Sequence, residues 1–350
     1  MILLLACTVH PTVQGVLEDT GTPAQELPGY EAGYEAGYEA ALAEHQEALD
    51  FAAELSRVLL VEDEALRVVG VDLYVQSGAG ATDAAPNGLG NLIVGYSEGE
   101  DLDRGGSHNL IVGSGHSWSS YSGVVFGSDN SGLAPFASVL GGTRNEASGE
   151  HAVVVGGGGG VASAYGAVVL GGSSNDAEGQ LSAVCGGRDN LASGDYAAVL
   201  GGAENTASGS YAAVSGGKGN QASGDYSAVT GGLDNEASGY AASVSGGQGD
   251  LASGQASWAA GGQDNTASAD WSAALGGLEN LASGSWAVSS GGLQNEARGD
   301  HASVSGGKSG LALGEGSAIS GGESGQAKGL YSSVSGGLEV VVSDDHGTSE

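Results

Sequence analysis

The side chains in this sequence that could carry acid–base or nucleophilic chemistry are a few scattered histidines and two cysteines. Nucleophilic catalysis needs a nucleophile, a base and an orienting group within hydrogen-bond reach of one another. The histidines considered are His108, His116, His151 and His301. They have different neighbours, and no Ser-His-Asp or Cys-His grouping can be assembled from their spacing. We interpret them as surface or turn residues, predict no catalytic residues and expect a protein that is not an enzyme.

The two cysteines differ in their setting. So few cysteines exclude a disulfide framework and a zinc cluster of the Cys-x-x-Cys kind. Cys185 is interpreted as a small core or interface residue. Cys7 ends the run Leu4-Leu5-Ala6-Cys7, which resembles a bacterial lipobox, in which the cysteine is lipidated after cleavage of a signal. That hypothesis places the true start upstream of Met1 and predicts lipidation of Cys7; the alternative is a chance apolar N-terminus.

Cation and phosphate binding have weak support in the sequence. A stretch of glycines from Gly156 to Gly160 lacks the Gly-Lys-Ser/Thr ending of a phosphate loop. Acidic side chains recur every 15 residues or a multiple of it, next to a row of asparagines that we interpret as a structural amide ladder. The acidic row is Asp189, Glu204, Asp234, Asp264 and Glu279. It predicts at most weak calcium association, no specific metal site and no other cofactor.

The charge balance excludes several classes of partner. The chain has 42 acidic and 9 basic residues, for a formal net charge of −33. No basic patch is present to neutralise phosphates, so nucleic acid and anionic lipid surfaces are not expected partners. No run of 18 apolar residues occurs, and we therefore predict no transmembrane segment.

A 15-residue repeat dominates the sequence. Gly-Gly pairs recur at intervals of 15 residues from Gly141 to Gly336, which defines thirteen full repeats ending at Ser335. The segment from Gly201 to Ser215 is a typical unit. Below, position 1 is the first glycine of each pair, and positions are counted from 1 to 15.

The repeat pattern predicts an all-β fold, a parallel β-solenoid or β-roll of 15-residue coils. Position 7 is always Ala, position 12 is Ala or Ser, and position 14 is mostly Val. Positions 10 to 15 alternate small and larger residues, as a strand does, while Gly-Gly-x-x-Asn is typical of turns. We expect Ala207, at position 7, to point inward and Ser210, at position 10, to face solvent.

A second apolar row occupies positions 11, 13 and 15 and is predicted to point outward. Its members include Tyr196, Trp258, Trp271, Trp286, Val153, Val168, Leu170 and Leu200. A long outward apolar stripe usually marks an interface. We therefore expect self-association about the long axis of the solenoid.

The remaining segments complete the predicted organisation. Residues 1–28 form a leader that holds the lipobox-like run, and 29–65 form a helix, from about Glu31 to Val61, that is long enough for a coiled coil. A strand over Val69–Val75 and a linker make up 66–90. Irregular opening coils at 91–140 precede the regular solenoid at 141–337, and an acidic tail spans 338–350.

The unit Asn-x-Ala-Ser-Gly-x-Tyr-Ala-x-Val-x-Gly-Gly resembles the head repeats of YadA-like trimeric autotransporter adhesins over residues 91–337. The resemblance implies a left-handed parallel β-roll built by three chains. That family carries a stalk and a membrane barrel after the head, whereas here the candidate coiled coil precedes the repeats.

These features predict a secreted or outer-surface structural and adhesion protein, lipid-anchored at its N-terminus if the Cys7 hypothesis holds. It would present a trimeric rod to a cell-surface or matrix ligand that the sequence does not identify. The alternative hypothesis is a phage-like tail-fibre or tip protein that binds a cell-surface glycan. Scattered threonines disfavour ice binding, and the narrow coils disfavour a polysaccharide lyase.

Overall fold

The computed structural model describes residues 30–62, 65–96 and 98–349, in two compact units that divide between Tyr74 and Val75. The predicted leader and Cys7 lie outside the described residues. The first unit contains the helix α1 and a short hairpin, and the second contains the solenoid. Among the described residues no helix is long and apolar enough to cross a membrane.

The helix α1 spans Tyr30–Val58, close to the predicted range. Its sequence is rich in Ala, Glu and Leu, which have high helix propensity. It leads into the strand β1 (Leu59–Glu62), which pairs antiparallel with β2 (Ala65–Val68). The prediction of a strand over Val69–Val75 is wrong: that stretch is irregular and exposed, and no strand among the described residues pairs with it.

The second unit is a solenoid of about 17 turns made of very short strands. In chain order they are β3 Leu92–Val94, β4 Leu110–Ser114, β5 Ser117–Trp118, β6 Val124–Ser128, β7 Ser131–Gly132, β8 Ser138–Val139, β9 Glu146–Ala147, β10 Val153–Val154, β11 Val161–Ala162, β12 Val168–Val169, β13 Asp176–Ala177, β14 Ala183–Val184, β15 Leu191–Ala192, β16 Ala198–Val199, β17 Thr206–Ala207, β18 Ala213–Val214, β19 Gln221–Ala222, β20 Ala228–Val229, β21 Glu236–Ala237, β22 Ser243–Val244, β23 Leu251–Ala252, β24 Trp258–Ala259, β25 Thr266–Ala267, β26 Ala273–Ala274, β27 Leu281–Ala282, β28 Val288–Ser289, β29 Glu296–Ala297, β30 Ser303–Val304, β31 Leu311–Ala312, β32 Ala318–Ile319, β33 Gln326–Ala327, β34 Ser333–Val334 and β35 Val341–Val342.

The strands form two parallel sheets that run the length of the solenoid. One contains β3, β4 and the even-numbered strands from β6 to β34, and the other contains the odd-numbered strands from β5 to β35. In the regular region each residue pairs with the residue 15 positions later, as Ala213 does with Ala228 and Ala207 with Ala222. Backbone bridges at position 3 form a third line of contact between the coils.

The coils before the regular region depart from a strict 15-residue spacing, whereas the segment after it keeps that spacing. The opening coils are irregular, as predicted: Leu92 pairs with Leu110 and Leu110 with Val124, which are intervals of 18 and 14 residues. The predicted acidic tail continues the solenoid instead, because β35 pairs with β33 and Ser333 bridges to Thr348. Residues 336–349 therefore make one further coil.

The interior of the solenoid is thin and made of small side chains. Position 7 points inward as predicted, since Ala207 is fully buried. Val214, at position 14, and Ala212, at position 12, are buried as well. The regular strand is shorter than the predicted stretch of positions 10 to 15: it covers positions 13 and 14 only. Positions 9 to 12 form a turn, closed by a hydrogen bond from the Ala212 amide to the Gly209 carbonyl (3.1 Å).

The second glycine of each pair has a steric role that the first lacks. Gly202 has a φ of 86°. A Cβ there would collide with the carbonyl oxygen of Gly217 in the next coil and lie 2.6 Å from the side-chain Nδ2 of Asn205. A Cβ at Gly201 would meet no atom within 4 Å. Glycine at position 2 therefore permits the close approach of consecutive coils.

Gly202→Ala should lower the free energy of unfolding by roughly 2–3 kcal/mol, combining a left-handed backbone for a non-glycine residue with overpacking. The adjacent Gly201→Ala is the control and should stay within about 0.5 kcal/mol of the parent. Urea denaturation followed by circular dichroism compares the two. Equal midpoints for the two variants would contradict the assigned role of position 2.

Candidate interaction surfaces

The four histidines considered as catalytic candidates are separated along the solenoid. His151 and His301 are exposed turn residues, as predicted, and stack on Phe136 (4.9 Å between ring centroids) and Trp286 (6.3 Å). The Nε2 of His108 accepts a hydrogen bond from the Ser77 amide (3.1 Å). His108 lines a shallow cleft with residues 76–78 and 80–82, and that lining contains no carboxylate.

His116 corrects the prediction of a surface histidine, because it is 2% exposed. Its Nδ1 accepts a hydrogen bond from the Asn130 amide (3.2 Å), and its Nε2 lies 3.1 Å from the Val112 carbonyl oxygen. Since Nδ1 is the acceptor, Nε2 carries the proton and donates it to that carbonyl. The imidazole thus makes the same two links as the asparagines of the following coils.

Those asparagines form the buried amide ladder that the sequence predicted. The backbone N–H of Asn220 donates to the side-chain Oδ1 of Asn205 (3.0 Å). The side-chain Nδ2 of Asn205 donates in turn to the carbonyl oxygens of Gly201 (3.0 Å) and Gly217 (3.1 Å). Asn205 is fully buried. Because buried polar groups are costly unless paired, each asparagine both satisfies and requires its neighbours.

The acidic row at position 4 is exposed and partly neutralised by neighbouring bases. Arg188 lies 3.1 Å from Asp189 and 3.6 Å from Glu204, and Lys218 lies 3.6 Å from Glu204. No group of three acidic, histidine or cysteine side chains suited to a metal converges among the residues that the structure describes. Weak calcium association stays a prediction.

Asp176, at position 6, has an acidic neighbour in its own coil, Glu178, and another in the next coil, Asp189. Burial, followed by repulsion from Glu178 and Asp189, raises the pKa of Asp176 above its ordinary value.

The sheet that contains the even-numbered strands has an apolar outer surface over its first eight strands, β3 to β16. Outward residues there are mainly large and aliphatic, with Leu140, Leu170 and Leu200 45–56% exposed. We name this surface the apolar face; its residues are Leu92, Val94, Leu110, Val112, Val124, Phe126, Leu140, Val153, Val155, Val168, Leu170, Ala183, Cys185, Ala198 and Leu200. Cys185 is partly exposed on this face and does not belong to the core.

Beyond Leu200 the same outer surface becomes mostly polar. Position 15 is then Ser215, Thr230 and Ser245 in three consecutive coils, and it is serine in the last four full repeats. The predicted outward apolar row is therefore correct for positions 13 and 15, but it is continuous only in the N-terminal half of the solenoid; beyond it, scattered members such as Trp258 and Leu275 remain.

Position 11 does not belong to that surface, because it lies in the turn. Its residues adopt left-handed backbone angles, as Tyr211 does with a φ of 59°. The rings stack on one another: Tyr196 on Tyr211 at 4.7 Å, Tyr211 on Tyr226 at 5.0 Å, and Trp271 on Trp286 at 5.0 Å. Stacking of this kind offsets part of the cost of the left-handed conformation.

No model of a known protein family matches this chain, and no curated protein matches it at a significant level. Functional inference therefore depends on these surfaces.

The amide ladder is interrupted at Gly160, Gly310 and Gly325, which have no side chain, and at Asp250, which has a carboxyl group. Asp250 is 1% exposed and occupies position 5, where the neighbouring coils have Asn235 and Asn265. Its Oδ1 accepts hydrogen bonds from the amide (2.8 Å) and Nδ2 (3.0 Å) of Asn265, but its Oδ2 is buried without a partner among the described residues. Burial, as the largest cause, raises the pKa of the Asp250 carboxyl above its ordinary value of 3.8, and Asp264 adds to it.

Asp250→Asn should raise the free energy of unfolding at pH 7 by about 1–3 kcal/mol, because it supplies the missing donor. Because the pKa of Asp250 is higher in the folded state than in the unfolded state, its protonated form stabilises the fold at pH values below the ordinary pKa. This contribution is lost as the pH rises through the folded-state pKa. The advantage of the variant should therefore vanish near pH 3.5. Thermal melts at both pH values test this, with the exposed Asp234→Asn as the charge-matched control. A pH-independent difference would contradict the argument.

Proposed function

We propose that the protein is a non-enzymatic structural and adhesion protein of a cell surface, which assembles as a homotrimer and presents the C-terminal part of the solenoid to a ligand. The observation that carries the proposal is the division of the outer sheet surface at Leu200. An apolar N-terminal half suits contact with other chains, and a polar C-terminal half suits exposure to solvent.

The extent of the apolar face supports self-association. Eight parallel strands at about 4.8 Å spacing give a strip roughly 34 Å long. Val155 and Leu170, on adjacent strands, are 40% and 47% exposed, so they keep substantial apolar area in contact with water in a single chain. Identical strips on several copies can bury one another around a common axis.

The helix α1 supports the same assembly. Leu42 and Leu49, seven residues apart and therefore on one face of α1, are 47% and 59% exposed. Burying such a stripe against identical helices would make a coiled coil. The resemblance to YadA-like heads points to three chains and a left-handed winding. Because α1 precedes the repeats, which is the reverse of the order in that family, we place attachment at the N-terminal end, by lipid at Cys7 or otherwise.

A phage-like fibre or tip protein is the second candidate function. The order of helix, apolar face and polar solenoid along the chain fits a fibre attached through its N-terminal part equally well. Both candidates require a trimeric, ligand-binding rod without catalysis. They differ in whether a cell surface or a phage-like particle carries the rod.

The full chain should sediment as a trimer in analytical ultracentrifugation. The double variant Val155→Lys/Leu170→Lys places charges on the apolar face and should weaken association at least tenfold. Its control, Ser305→Lys/Ser320→Lys, makes the same change at position 15 of the polar half and should remain trimeric. A monomeric parent protein would overturn the assembly, and equal weakening by both variants would remove the apolar face from it.

Adhesion predicts that beads coated with the full chain resist shear on at least one coated surface. Cellulose, chitin, mucin and collagen cover neutral polysaccharide, glycoprotein and protein ligands. Beads coated with heat-denatured protein are the control. Retention no better than this control on all four surfaces would contradict the adhesive function.

A further inference from the structure

All three exposed tryptophans lie in three consecutive coils. Trp258, Trp271 and Trp286 are 45–51% exposed, whereas the fourth tryptophan, Trp118, is buried. Their coils span residues 246–260, 261–275 and 276–290, and we name this segment the tryptophan coils.

The interior of the tryptophan coils is weaker than that of their neighbours. Position 14 is Val in the seven preceding full repeats and an aliphatic residue, Val or Ile, in the three that follow. In the tryptophan coils it is Ala259, Ala274 and Ser289. The Oγ of Ser289 is buried without a hydrogen-bond partner among the described residues, and the hydrophobic core divides into two clusters there. The three coils with the largest apolar side chains outside are thus the three with the least apolar interior. Stability of the fold alone would favour the opposite arrangement, with large apolar side chains inside.

Trp258 lies across a surface of small residues. It occupies position 13, where register places Ser243 and Ala273 beside it. Its indole Nε1 donates a hydrogen bond to Oγ of Ser245 (2.9 Å), which holds the ring toward the preceding coil. The indole is therefore a fixed aromatic surface next to serine hydroxyls.

Trp271 borders a break in the aromatic stack. One face of its ring is covered by Trp286, but position 11 of the two preceding coils is Ala256 and Ala241. The next ring at position 11 is Tyr226, three coils or about 14 Å away at the parallel strand spacing. Tyr240 packs edge-on against Tyr226 (5.5 Å) and fills part of that interval. The alanines leave a notch beside the second face of Trp271.

The polar groups of the tryptophan coils suit an uncharged, hydroxyl-rich ligand. The segment contains four acidic residues and no lysine, arginine or histidine, so it repels anions. The exposed Gln255 adjoins Ala256 at the notch and can both donate and accept hydrogen bonds. The backbone N–H of Gln255 donates a hydrogen bond to Oδ1 of the nearby Asp270 (3.0 Å), which leaves Oδ2 of Asp270 as an acceptor. Aromatic faces beside such groups match the apolar C–H face and hydroxyl rim of a sugar ring.

We propose that the tryptophan coils bind a neutral saccharide, with Trp258 and Trp271 as the aromatic surfaces and Gln255 as a hydroxyl partner. This inference rests on the proposed adhesive function, for which it names the ligand class.

Isothermal titration of the full chain with cellohexaose, maltohexaose, xylohexaose and N-acetylchitohexaose tests the proposal, with oligogalacturonate as the anionic comparison. We expect saturable binding of at least one neutral oligosaccharide and none of oligogalacturonate. Tryptophan fluorescence should change with the same midpoint, because three of the four tryptophans lie in the segment.

Trp258→Ala and Trp271→Ala should each weaken that binding at least tenfold, and Trp258→Phe should retain part of the affinity with an unchanged fold by circular dichroism. The control Tyr211→Ala removes a ring whose two faces are both covered in the stack, and it should leave the affinity within twofold.

The absence of binding to every neutral oligosaccharide, tighter binding of oligogalacturonate, or equal affinity in the tryptophan variants and Tyr211→Ala would overturn the proposal. A shift of Trp258→Ala to a lower oligomeric state without loss of saccharide binding would assign the segment to contact between copies instead. Beads that adhere while no oligosaccharide binds would refute this inference alone. Oligosaccharide binding without adhesion of the beads would refute only the adhesive function.

Discussion

The stacking of each coil on the next at a fixed 15-residue interval is the constraint on which the structure depends. Strands of two residues and a core of Ala, Ser and Val bury little apolar area, so hydrogen bonds between coils carry much of the order. The Ala213 amide reaches the Ser227 carbonyl and the Thr206 amide the Asn220 carbonyl, at 3.0 and 2.8 Å. The asparagine ladder adds a second, buried line of such bonds.

This constraint divides the repeat into positions that cannot vary and positions that can. Position 2 is glycine because the next backbone passes too close for a Cβ, and position 7 is fully buried and is Ala in every full repeat. Most of the variation therefore lies on the outside, at positions 3, 4, 6, 8, 10, 11, 13 and 15, and the interior varies only locally. The same scaffold can then display an aliphatic surface near its N-terminal end, stacked rings along one turn, and tryptophans over a short segment.

The departures from the repeat show how the constraint is met when side chains change. His116 takes the place of an asparagine because its two ring nitrogens supply the same acceptor and donor. Asp250 supplies only the acceptor, and its second oxygen is left without a donor among the described residues. The tryptophan coils lose valines from the interior while the backbone register continues unchanged through β24, β26 and β28. Hydrogen bonding between coils thus tolerates a local weakening of the core.

The sequence by itself determined the solenoid, its register, the inward position of Ala207 and the asparagine ladder, because a strict 15-residue period admits few other structures. It also located α1, through helix-forming composition. What it could not decide was where the strand alternation stops, because the turn at positions 9 to 12 resets the direction of the side chains and places Tyr211 in a turn. Nor did it show that the solenoid continues beyond residue 337, where Ser333 bridges to Thr348. Only the tertiary structure showed that His116 is buried. It also showed that the two strands after α1 pair with each other, while Val69–Val75 does not form a strand. Pairing between segments distant in sequence decides such cases, because a backbone segment becomes a strand only where another segment satisfies its hydrogen bonds.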